Sequence, residues 1–409
     1  MNDVWVTGIG TVGSFGSGRE SFLNALLENR FCADSYKGHL NVSHVARIPK
    51  SVSIPIIFED DRKSNLGLYV AQQAIEDAGL NIEEIPPEDI AIFLGTGLSS
   101  ITPDEIERDI YPHIEIDENG KSFFSRTSMA KSLSPNLPSP KRHLPQRLTS
   151  HLQRKYASPL SKCGTSFSAC AAAAQAIAEG MRCLRRGQAN VALVGGHDSM
   201  DHPMGLLSFD VLGALSSDFC RPFDIQRNGF MLGEGATILI LETVEHAKKR
   251  GAQPLAKLVG AGTSVDAHKA TAPHPDGEGA YLAMKRALRD AQISPSDIQY
   301  VNAHGTGTPL GDIAESKAVQ RLFGAQQPTS SIKGAIGHTV AAAGAMEAAA
   351  CILSLQNSFL PGTVGFENQD TACQVDVVSS VRRQSHFSYA LSNSFGFGGQ
   401  NCSLIFQQL

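Results

Sequence analysis

The sequence predicts an α/β protein built from two related halves, and three observations carry this prediction. The chain has 409 residues, whereas a single hydrophobic core stops growing at roughly 250–300 residues. Strand-like apolar segments alternate with helical segments, a pattern typical of mostly parallel sheets covered by helices. Four segments recur in the same order later in the chain, which indicates duplication of a whole domain. We expect the halves to span residues 1–250 and 251–409.

The recurring segments resemble one another in pattern rather than in identity. In order, they are a strand running into glycines, a helix end, a second strand ending in glycines, and an alanine-rich helix behind a reactive residue. The pairs are VTGIGTV (6–12) with VGAGTSV (259–265), AIEDAGL (74–80) with ALRDAQI (287–293), DIAIFLGTG (89–97) with DIQYVNAHGTG (297–307), and AAAAQAIAEG after Cys170 with TVAAAGAMEAAA after His338. Pseudo-symmetric packing of the halves would place the N-termini of the two alanine-rich helices close together.

Composition excludes several classes of protein. The chain is 42% hydrophobic and 18% charged, with a formal net charge of −5, so we expect a globular protein without a nucleic-acid partner. We also expect no membrane span and no signal peptide, because no apolar run approaches roughly 18–20 residues and MNDVWVTGIG lacks a basic region. The eight cysteines are scattered without CxxC pairs, which predicts free thiols in a reducing cytoplasm and neither a metal nor another cofactor.

Cys170 is the candidate nucleophile. Small residues precede it in CGTSFSAC, which suits a tight turn after a strand, and the alanine-rich run after it favours a helix. A thiol at a helix N-terminus lies at the positive end of the helix dipole, which favours the thiolate. The free N–H groups there could also hold an oxyanion. The alternative is that Cys170 is a small core residue, the interpretation we keep for the other seven cysteines.

Two histidines are candidates for the same site. His304 follows a strand, Tyr300 to Ala303, and begins a turn rich in glycine and threonine, the usual position of site residues in α/β folds. His338 precedes the second alanine-rich helix, where the dipole disfavours protonation, and the repeat aligns it with Cys170. Lys333 lies close to His338 in sequence, and Glu315 is a plausible partner for it. A structural or surface role is the alternative for each histidine.

Two further segments have unusual composition. SNSFGFGGQN (392–401) combines glycines with two phenylalanines, which fits either a mobile aromatic gate or a strand end with a bulge. Residues 101–120 are acidic, whereas 121–162 contain nine Lys and Arg and no Asp or Glu. This basic run is either a solvated face or part of a docking surface for an acidic partner.

The chain resembles the elongating β-ketoacyl-[acyl-carrier-protein] synthases, the condensing enzymes of fatty-acid and type II polyketide synthesis. The resemblance covers nearly the whole length outside 98–160. It rests on the combination of SAC at Cys170, RPFDIQRNGFMLGEGA, TAPHPDG, AHGTGTPLGDIAE, SIKGAIGHTVAAAGAMEA and NSFGFGGQN. It implies the thiolase fold, in which duplicated α/β halves form a layered αβαβα arrangement.

The resemblance also implies roles for individual residues. Cys170 would receive the acyl chain from the phosphopantetheine thioester of an acyl carrier protein. His304 and His338 would hydrogen-bond the malonyl thioester and stabilise the enolate formed after loss of carbon dioxide. Lys333, held by Glu315, would orient this group. The remaining implied residues are Cys170 and Phe397 for the oxyanion hole, Phe397 as gate, Phe209, Thr271, Thr306, Thr308 and Phe395 for substrate binding, and Arg62 and Lys63 for docking of the carrier.

Several positions depart from the family pattern. Ser168 replaces the usual threonine of Thr-Ala-Cys, Ala172 and Ala173 replace Ser, Thr or Gly, and Gly334 replaces a common serine. Asp218 stands where fatty-acid enzymes often carry a basic residue that contacts the carrier. These departures favour a polyketide or polyene pathway over housekeeping fatty-acid elongation. We expect a homodimer or a heterodimer with a related subunit.

Three rival functions remain to be weighed. A thiolase would need a second cysteine near the C-terminal loop, and a starter-type or chalcone-type synthase would carry asparagine in place of His338. The third rival is a non-catalytic partner subunit of the chain-length-factor type. It typically lacks the nucleophile, so Cys170 argues against it.

Overall fold

The computed structural model describes residues 3–38, 40–59, 61–97, 107, 111–125, 127–128, 144–200, 202–383 and 387–409. Most of the acidic and basic segments between 98 and 143 therefore lies outside the described residues. Within the described ranges, the α-helices are α1 (Arg19–Leu27), α2 (Arg62–Asp77), α3 (Arg147–Tyr156), α4 (Ala172–Arg185), α5 (Pro203–Val211), α6 (Val244–Lys249), α7 (Glu278–Ala291), α8 (Pro309–Phe323), α9 (Lys333–Ile336) and α10 (Ala343–Asn357).

The strands alternate with these helices as the sequence predicted. They are β1 (Val4–Gly13), β2 (Gly16–Ser17), β3 (Asp34–Ser35), β4 (His44–Val45), β5 (Ile90–Thr96), β6 (Ile114–Ile116), β7 (Ser122–Phe124), β8 (Cys163–Ser166), β9 (Val191–Ser199), β10 (Glu234–Thr243), β11 (Ala256–Val265), β12 (Tyr300–Asn302), β13 (Pro328–Ser330), β14 (Phe359–Leu360), β15 (Asp376–Val377), β16 (Arg382–Arg383), β17 (Tyr389–Gly396) and β18 (Gln400–Gln407).

One large sheet carries the duplication. Its order is β15-β13-β12-β17-β18-β11-β1-β10-β9-β5-β8, with β2 beside β1. Reading outward from the central β1–β11 pair, the two sides have matching orders, β1-β10-β9-β5-β8 and β11-β18-β17-β12-β13. The central pairings are antiparallel and the outer ones are parallel. The prediction of mostly parallel sheets was therefore wrong for the inner strands.

Helices form three layers around the two halves of this sheet. The two alanine-rich helices, α4 and α10, contact each other and the strands of both halves. Alanine favours this central position because it is a strong helix former with a small side chain, so that helix and strand backbones approach closely. α2 covers the opposite face of the first half-sheet, and α7 covers that of the second. The predicted αβαβα layering is confirmed.

The central helix region is apolar enough to raise the question of a membrane span. Val340–Asn357 has the length and mean hydropathy of a span, but 89% of it is buried inside the protein. The sequence had not indicated this segment as a candidate membrane span. Its burial between the two half-sheets explains why it is so apolar.

The two turns that lead into the alanine-rich helices shift the alignment of the repeat by three residues from the one expected from the sequence. Each alanine-rich helix is preceded by a 3-10 turn, Ala169–Ala171 before α4 and Val340–Ala342 before α10. Each turn starts with a left-handed residue, Ala169 and Val340, both at φ 47°. The position equivalent to Cys170 is therefore Ala341, and the predicted alignment of His338 with Cys170 was wrong.

Candidate active site

Cys170 lies where the sequence placed it, at the N-terminal end of α4. β8 ends at Ser166, and the chain turns through left-handed Ala169 into the short 3-10 turn that contains the thiol. The Ser168 hydroxyl donates to the Gln175 side chain at 2.7 Å, which ties this turn to the first turns of the helix. Cys170 is 5% exposed, so its thiol lies at the floor of a cavity rather than on the surface.

Burial works against the expected thiolate. It raises the pKa of the Cys170 thiol to about 12, although the nearby Lys333 charge and the backbone N–H of Phe397 act in the opposite direction. The prediction of a lowered pKa was therefore wrong for the resting protein. It follows that the thiol proton has to leave as the bond to the acyl carbon forms.

His304 sits in a loop braced by two buried carboxylates of α8. Glu315 accepts hydrogen bonds from the backbone N–H groups of His304 and Gly305 at 2.9 and 2.8 Å. Asp312 accepts from the N–H groups of Phe223 and Gly307 at 2.7 and 3.1 Å. The two carboxylates lie three residues apart on one helix face, as predicted, and they fix the loop that presents the imidazole.

Lys333 is held by Glu347 of α10, which corrects the predicted pairing with Glu315. The ammonium group of the buried Lys333 forms an ion pair with the buried Glu347. It also donates to the His304 carbonyl oxygen at 2.6 Å and lies 3.3 Å from His304 Nδ1. A buried cation needs such a charged partner. With Nδ1 facing an ammonium donor, the proton of His304 lies on Nε2, which faces the cavity.

His338 lies between α9 and the Val340–Ala342 turn, not at the helix N-terminus itself. A backbone bridge to Leu232 holds it, through its N–H to Met231 and its carbonyl to Gly233. Its Nε2 lies 3.1 Å from Cys170 Sγ. Burial, followed by the Lys333 charge, lowers the pKa of both His338 and His304 well below the usual value. Both imidazoles are therefore neutral, although burial rather than a helix dipole is the main cause.

The three side chains form one compact cluster. Donor atoms of Cys170, His304 and His338 lie within 4.8 Å of one another, and the two imidazole rings are 5.3 Å apart at 82°. A thiolate and two imidazoles are also ligands that Zn²⁺ accepts. However, the Lys333 ammonium beside His304 opposes a second cation there. The cluster is better suited to hold an acyl group on sulfur and to donate two hydrogen bonds to one oxygen.

A cavity of about 350 Å³ opens in front of the cluster. The predicted substrate-binding threonines, Thr271, Thr306 and Thr308, all line it, together with Phe395 and Phe397. The Thr306 and Thr308 hydroxyls hydrogen-bond each other at 2.9 Å. This places polar groups along the approach to the sulfur, which suits a long substrate arm with amide groups.

Apolar side chains lie behind the nucleophile. Phe209 packs against Phe230 and Phe397, with ring centroids 5.4 and 6.4 Å apart, in a buried cluster that includes Cys170. The C-terminal glycine segment is a hairpin turn: β17 ends at Gly396 and β18 begins at Gln400. Phe397 thus sits at the tip of this turn, between the cavity and the apolar cluster. A gating role for it stays a prediction.

The structure argues against one member of the proposed carrier-docking pair, Lys63. Lys63 is 5% exposed and donates to the Gly97 carbonyl oxygen at 3.1 Å. Arg62 is half-exposed and pairs with the buried Glu234 at 2.5 Å, so its role in docking stays a prediction. Both sit in the first turn of α2, where the amphipathic pattern turns the lysine inward. The basic run 121–162 lies in part outside the described residues and stays a prediction.

Two buried residues that hold the site, Glu347 and Asn393, were not predicted from the sequence. The Asn393 side-chain amide donates a hydrogen bond to Glu315 at 3.1 Å. Glu347 did leave a signal, because it is the one charged residue in the apolar stretch AGAMEAAACILSL. A lone carboxylate on a fully buried helix needs a buried partner. Lys333 was a candidate for that partner by the same reasoning. Glu315 was chosen instead as the partner of Lys333 because it lies in a motif of the family, and that choice was wrong.

Comparison with known proteins agrees with this geometry. Residues 59–247 match the N-terminal domain of β-ketoacyl synthase, and residues 255–367 match its C-terminal domain. The chain is 34% identical to 3-oxoacyl-[acyl-carrier-protein] synthase 2 of Vibrio harveyi, over 99% of this chain and 98% of that protein. It is 35% identical to the Staphylococcus aureus protein of the same name, over 85% and 84% of the two chains.

Solved structures show the same fold. A β-ketoacyl synthase from Burkholderia phymatum superposes with a TM-score of 0.86 at 30% identity, over the full length of both chains. The ishigamide ketosynthase/chain length factor superposes with a TM-score of 0.86 at 29% identity, over 100% of this chain and 99% of that one. The chain belongs to the β-ketoacyl synthase family and is an acyltransferase of the 3-oxoacyl-[acyl-carrier-protein] synthase type.

Proposed function

We propose that this protein joins an acyl group held on Cys170 to the two-carbon unit left by decarboxylation of malonyl-[acyl-carrier protein]. The product is a 3-oxoacyl-[acyl-carrier protein]. The single observation that carries this proposal is the buried cluster of Cys170, His304 and His338 within 4.8 Å at the floor of the cavity. It brings a nucleophile and two neutral hydrogen-bond donors to one point, as acyl transfer and enolate stabilisation require.

The first step loads the acyl group. Cys170 Sγ attacks the thioester carbon of the acyl carrier, the bond from that carbon to the carrier sulfur breaks, and the thiol proton ends on the released carrier thiol. The N–H groups of Cys170 and Phe397 would stabilise the oxyanion. The Phe397 N–H already faces Cys170 Sγ in the resting protein.

The second step forms the carbon–carbon bond. The malonyl carboxylate leaves as carbon dioxide, and the electron pair of the broken bond delocalises onto the thioester oxygen. Nε2–H groups of His304 and His338 would donate to this oxygen, with Lys333 and Glu347 holding His304 in place. The enolate carbon then attacks the acyl carbon on Cys170, and the cysteine leaves as a thiolate that takes up a proton.

The acyl substrate is the finer part of the proposal. We infer a polyketide or polyene intermediate rather than a housekeeping fatty acid. Asp218 supports this, since it is exposed and pairs with Arg221 at 2.9 Å, so the surface where fatty-acid enzymes often carry a basic residue is locally neutral. The departure next to Lys333, Gly334, has a local cause, because a Cβ there would lie 2.0 Å from the Val364 carbonyl oxygen.

We also infer a two-chain assembly and an acyl carrier protein as partner. β8 is the last strand of the large sheet, and its outer edge has no partner among the residues described. Phe167, next to it, is 53% exposed. A second chain of the same fold, identical or related, would cover this edge. The alternative, a partner subunit with little activity of its own, is disfavoured by the complete Cys170–His304–His338 cluster.

Separating the two steps tests the proposal. We expect His338→Ala to accept an acyl group on Cys170, because the loading step presents no malonyl oxygen. The same variant should lose most release of labelled carbon dioxide from malonyl-[acyl-carrier protein], on the order of 100-fold. The matched control is His246→Ala, a histidine paired with Glu242 far from the site. Normal decarboxylation by His338→Ala would contradict the enolate role.

A further inference from the structure

Two buried charged residues, Asp198 and Lys63, lie on either side of Gly97 near the turn that follows His338, and neither has a part in the chemistry described above. Asp198, near the end of β9, is 1% exposed, and Lys63, in the first turn of α2, is 5% exposed. Burial raises the pKa of Asp198 to about 6, and the Lys63 charge acts in the opposite direction. Burial of two charges is costly unless they serve as partners.

The Asp198 carboxylate binds the turn that follows His338. Its Oδ2 accepts a hydrogen bond from the backbone N–H of Ala341 at 3.1 Å, and its Oδ1 accepts from the N–H of Ser199 at 2.9 Å. Gly97 packs directly on the carboxylate, since a Cβ there would lie 2.0 Å from Oδ2. Lys63 donates to the carbonyl oxygen of the same glycine at 3.1 Å. The cluster is thus tightly enclosed.

The duplication of the fold relates this contact to the oxyanion hole of the first half. Ala341 is the structural equivalent of Cys170, because both are the second residue of a 3-10 turn that begins at φ 47° and leads into an alanine-rich helix. In the first half, the N–H at this position is one of the two groups assigned to the oxyanion hole. In the second half, the equivalent N–H is occupied by the Asp198 carboxylate.

The turn needs such a contact to keep its shape. Val340 is β-branched and left-handed, a combination that persists only when the surroundings enforce it. His338, two residues earlier, is anchored on its other side by Met231 and Gly233. Loss of the Ala341 contact would free the segment at one end. A displacement near 1 Å of a catalytic group costs on the order of 100-fold in rate.

We propose that Asp198, with Lys63 as its counter-charge, is a positioning residue for His338: it fills the second half's equivalent of the oxyanion hole and thereby fixes the 338–341 turn. This inference rests on the proposed function, in which His338 serves decarboxylation. The loading machinery is on the other turn, so Asp198 should act on the malonyl step and leave acyl loading intact.

The experiment measures the two steps separately in Asp198→Ala and Asp198→Asn, with thermal unfolding as a check on folding. We expect the kcat of malonyl-carrier decarboxylation to fall about tenfold or more in Asp198→Ala and less in Asp198→Asn, which keeps one acceptor oxygen. KM for malonyl-carrier and the rate of acyl loading should stay within about twofold of the original protein. If Asp198→Ala does not fold, Asp198→Asn decides the question.

Two controls complete the test. Glu242→Gln removes another fully buried carboxylate, one that pairs with Arg250 far from the site, and should leave the ratio of the two steps unchanged. Lys63→Met should lower decarboxylation in the same direction as the Asp198 variants. Equal losses in both steps, or no loss in folded Asp198 variants, would overturn the proposal. Failure of the proposed function itself is distinguishable, since the unmodified protein would then release no carbon dioxide.

Discussion

At the scale of the residue, Glu315 shows how hydrogen bonding and burial oppose each other in this site. Three N–H donors, from His304, Gly305 and the Asn393 amide, point at its carboxylate, an arrangement that favours the charged form. Burial nevertheless raises the pKa of Glu315 to about 7. The loop that carries His304 is therefore held by a charge that is complete only above neutral pH.

This predicts an acid limb in the pH profile of decarboxylation, that is, a rate that falls toward acid pH. As the pH falls through about 7, Glu315 becomes protonated and turns an O–H toward a backbone N–H, so the loop loosens and the rate declines. Glu315→Gln presents an amide donor at every pH, so its rate should be about tenfold lower at pH 8 and nearly flat from pH 6 to 8. Labelled carbon dioxide release across this range measures both.

Glu242→Gln is the matched control for this prediction. Its ion pairs lower the pKa of Glu242, in contrast to Glu315, so the control should keep the acid limb of the original protein. An acid limb that survives unchanged in Glu315→Gln would show that another group controls it.

Single site residues were predictable from the sequence where a reactive side chain stands at the end of a strand or at the start of a helix. Cys170, His304 and His338 each follow a strand or precede an alanine-rich helix, and the fold brings all three together. Lys63 was assigned to the docking surface because Arg62 and Lys63 match a carrier-contacting pair of the family. Its burial depends on Asp198 and Gly97, contacts between distant segments that no local pattern reveals.

At the scale of the element, the hairpin turn between β17 and β18 links the cavity to the nucleophile. Gly399 is left-handed at φ 77°, and a Cβ there would lie 3.0 Å from the Asp266 side chain. The Gly398 N–H donates to the Ala270 carbonyl oxygen at 2.7 Å. The position of the Phe397 N–H near Cys170 therefore depends on a turn that only glycine fits without strain.

Gly399→Ala should disturb acyl loading through this turn. We expect loading of Cys170 to slow about tenfold, because the Phe397 N–H moves away from the oxyanion position. The control is Gly187→Ala, which is also left-handed, at φ 66°, but meets no atom within 4 Å. Both variants should lose roughly 1–2 kcal/mol of stability, because alanine is strained in the left-handed conformation, yet only Gly399→Ala should load slowly. Equal loading rates, measured by quenched-flow mass spectrometry, would rule out the turn's role.

The two alternatives left open for this segment are now distinguishable in part. Residues 392–396 and 400–401 belong to paired strands in regular register, so the expected strand end is present but the bulge is not. Only the tip, residues 397–399, is free to act as a gate. Both options were open from the sequence because glycines and phenylalanines fit a bulge and a gate equally well.

At the scale of the whole molecule, the duplication was visible in sequence, whereas the mixed sheet was not. Alternation of strands and helices does not reveal that β1, β10 and β11 run antiparallel, since buried antiparallel strands read as the same apolar runs. The division into halves at 250/251 stays a prediction, as does the cytoplasmic location.

The open edge of the sheet predicts a two-chain assembly. Phe167→Glu should convert this assembly to single chains of 43.6 kDa, because a charge would have to be buried beside β8. Ile225→Glu, at an apolar residue that is 60% exposed elsewhere, should leave the assembly intact. Sedimentation velocity distinguishes these species. A protein that stays a single chain, both alone and with a related ketosynthase-fold subunit, would contradict the inference.

The central claim is that one acyl group passes through Cys170 into a longer product. The most direct test follows that group by mass after mixing the protein with an acyl-carrier thioester and then with malonyl-[acyl-carrier protein]. We predict a mass increase of one acyl group, mapped to the peptide containing Cys170, followed by its transfer to the carrier as a 3-oxoacyl thioester two carbons longer. Acylation of Cys163 or Cys220 instead, or discharge of the acyl group as a free acid, would contradict the account.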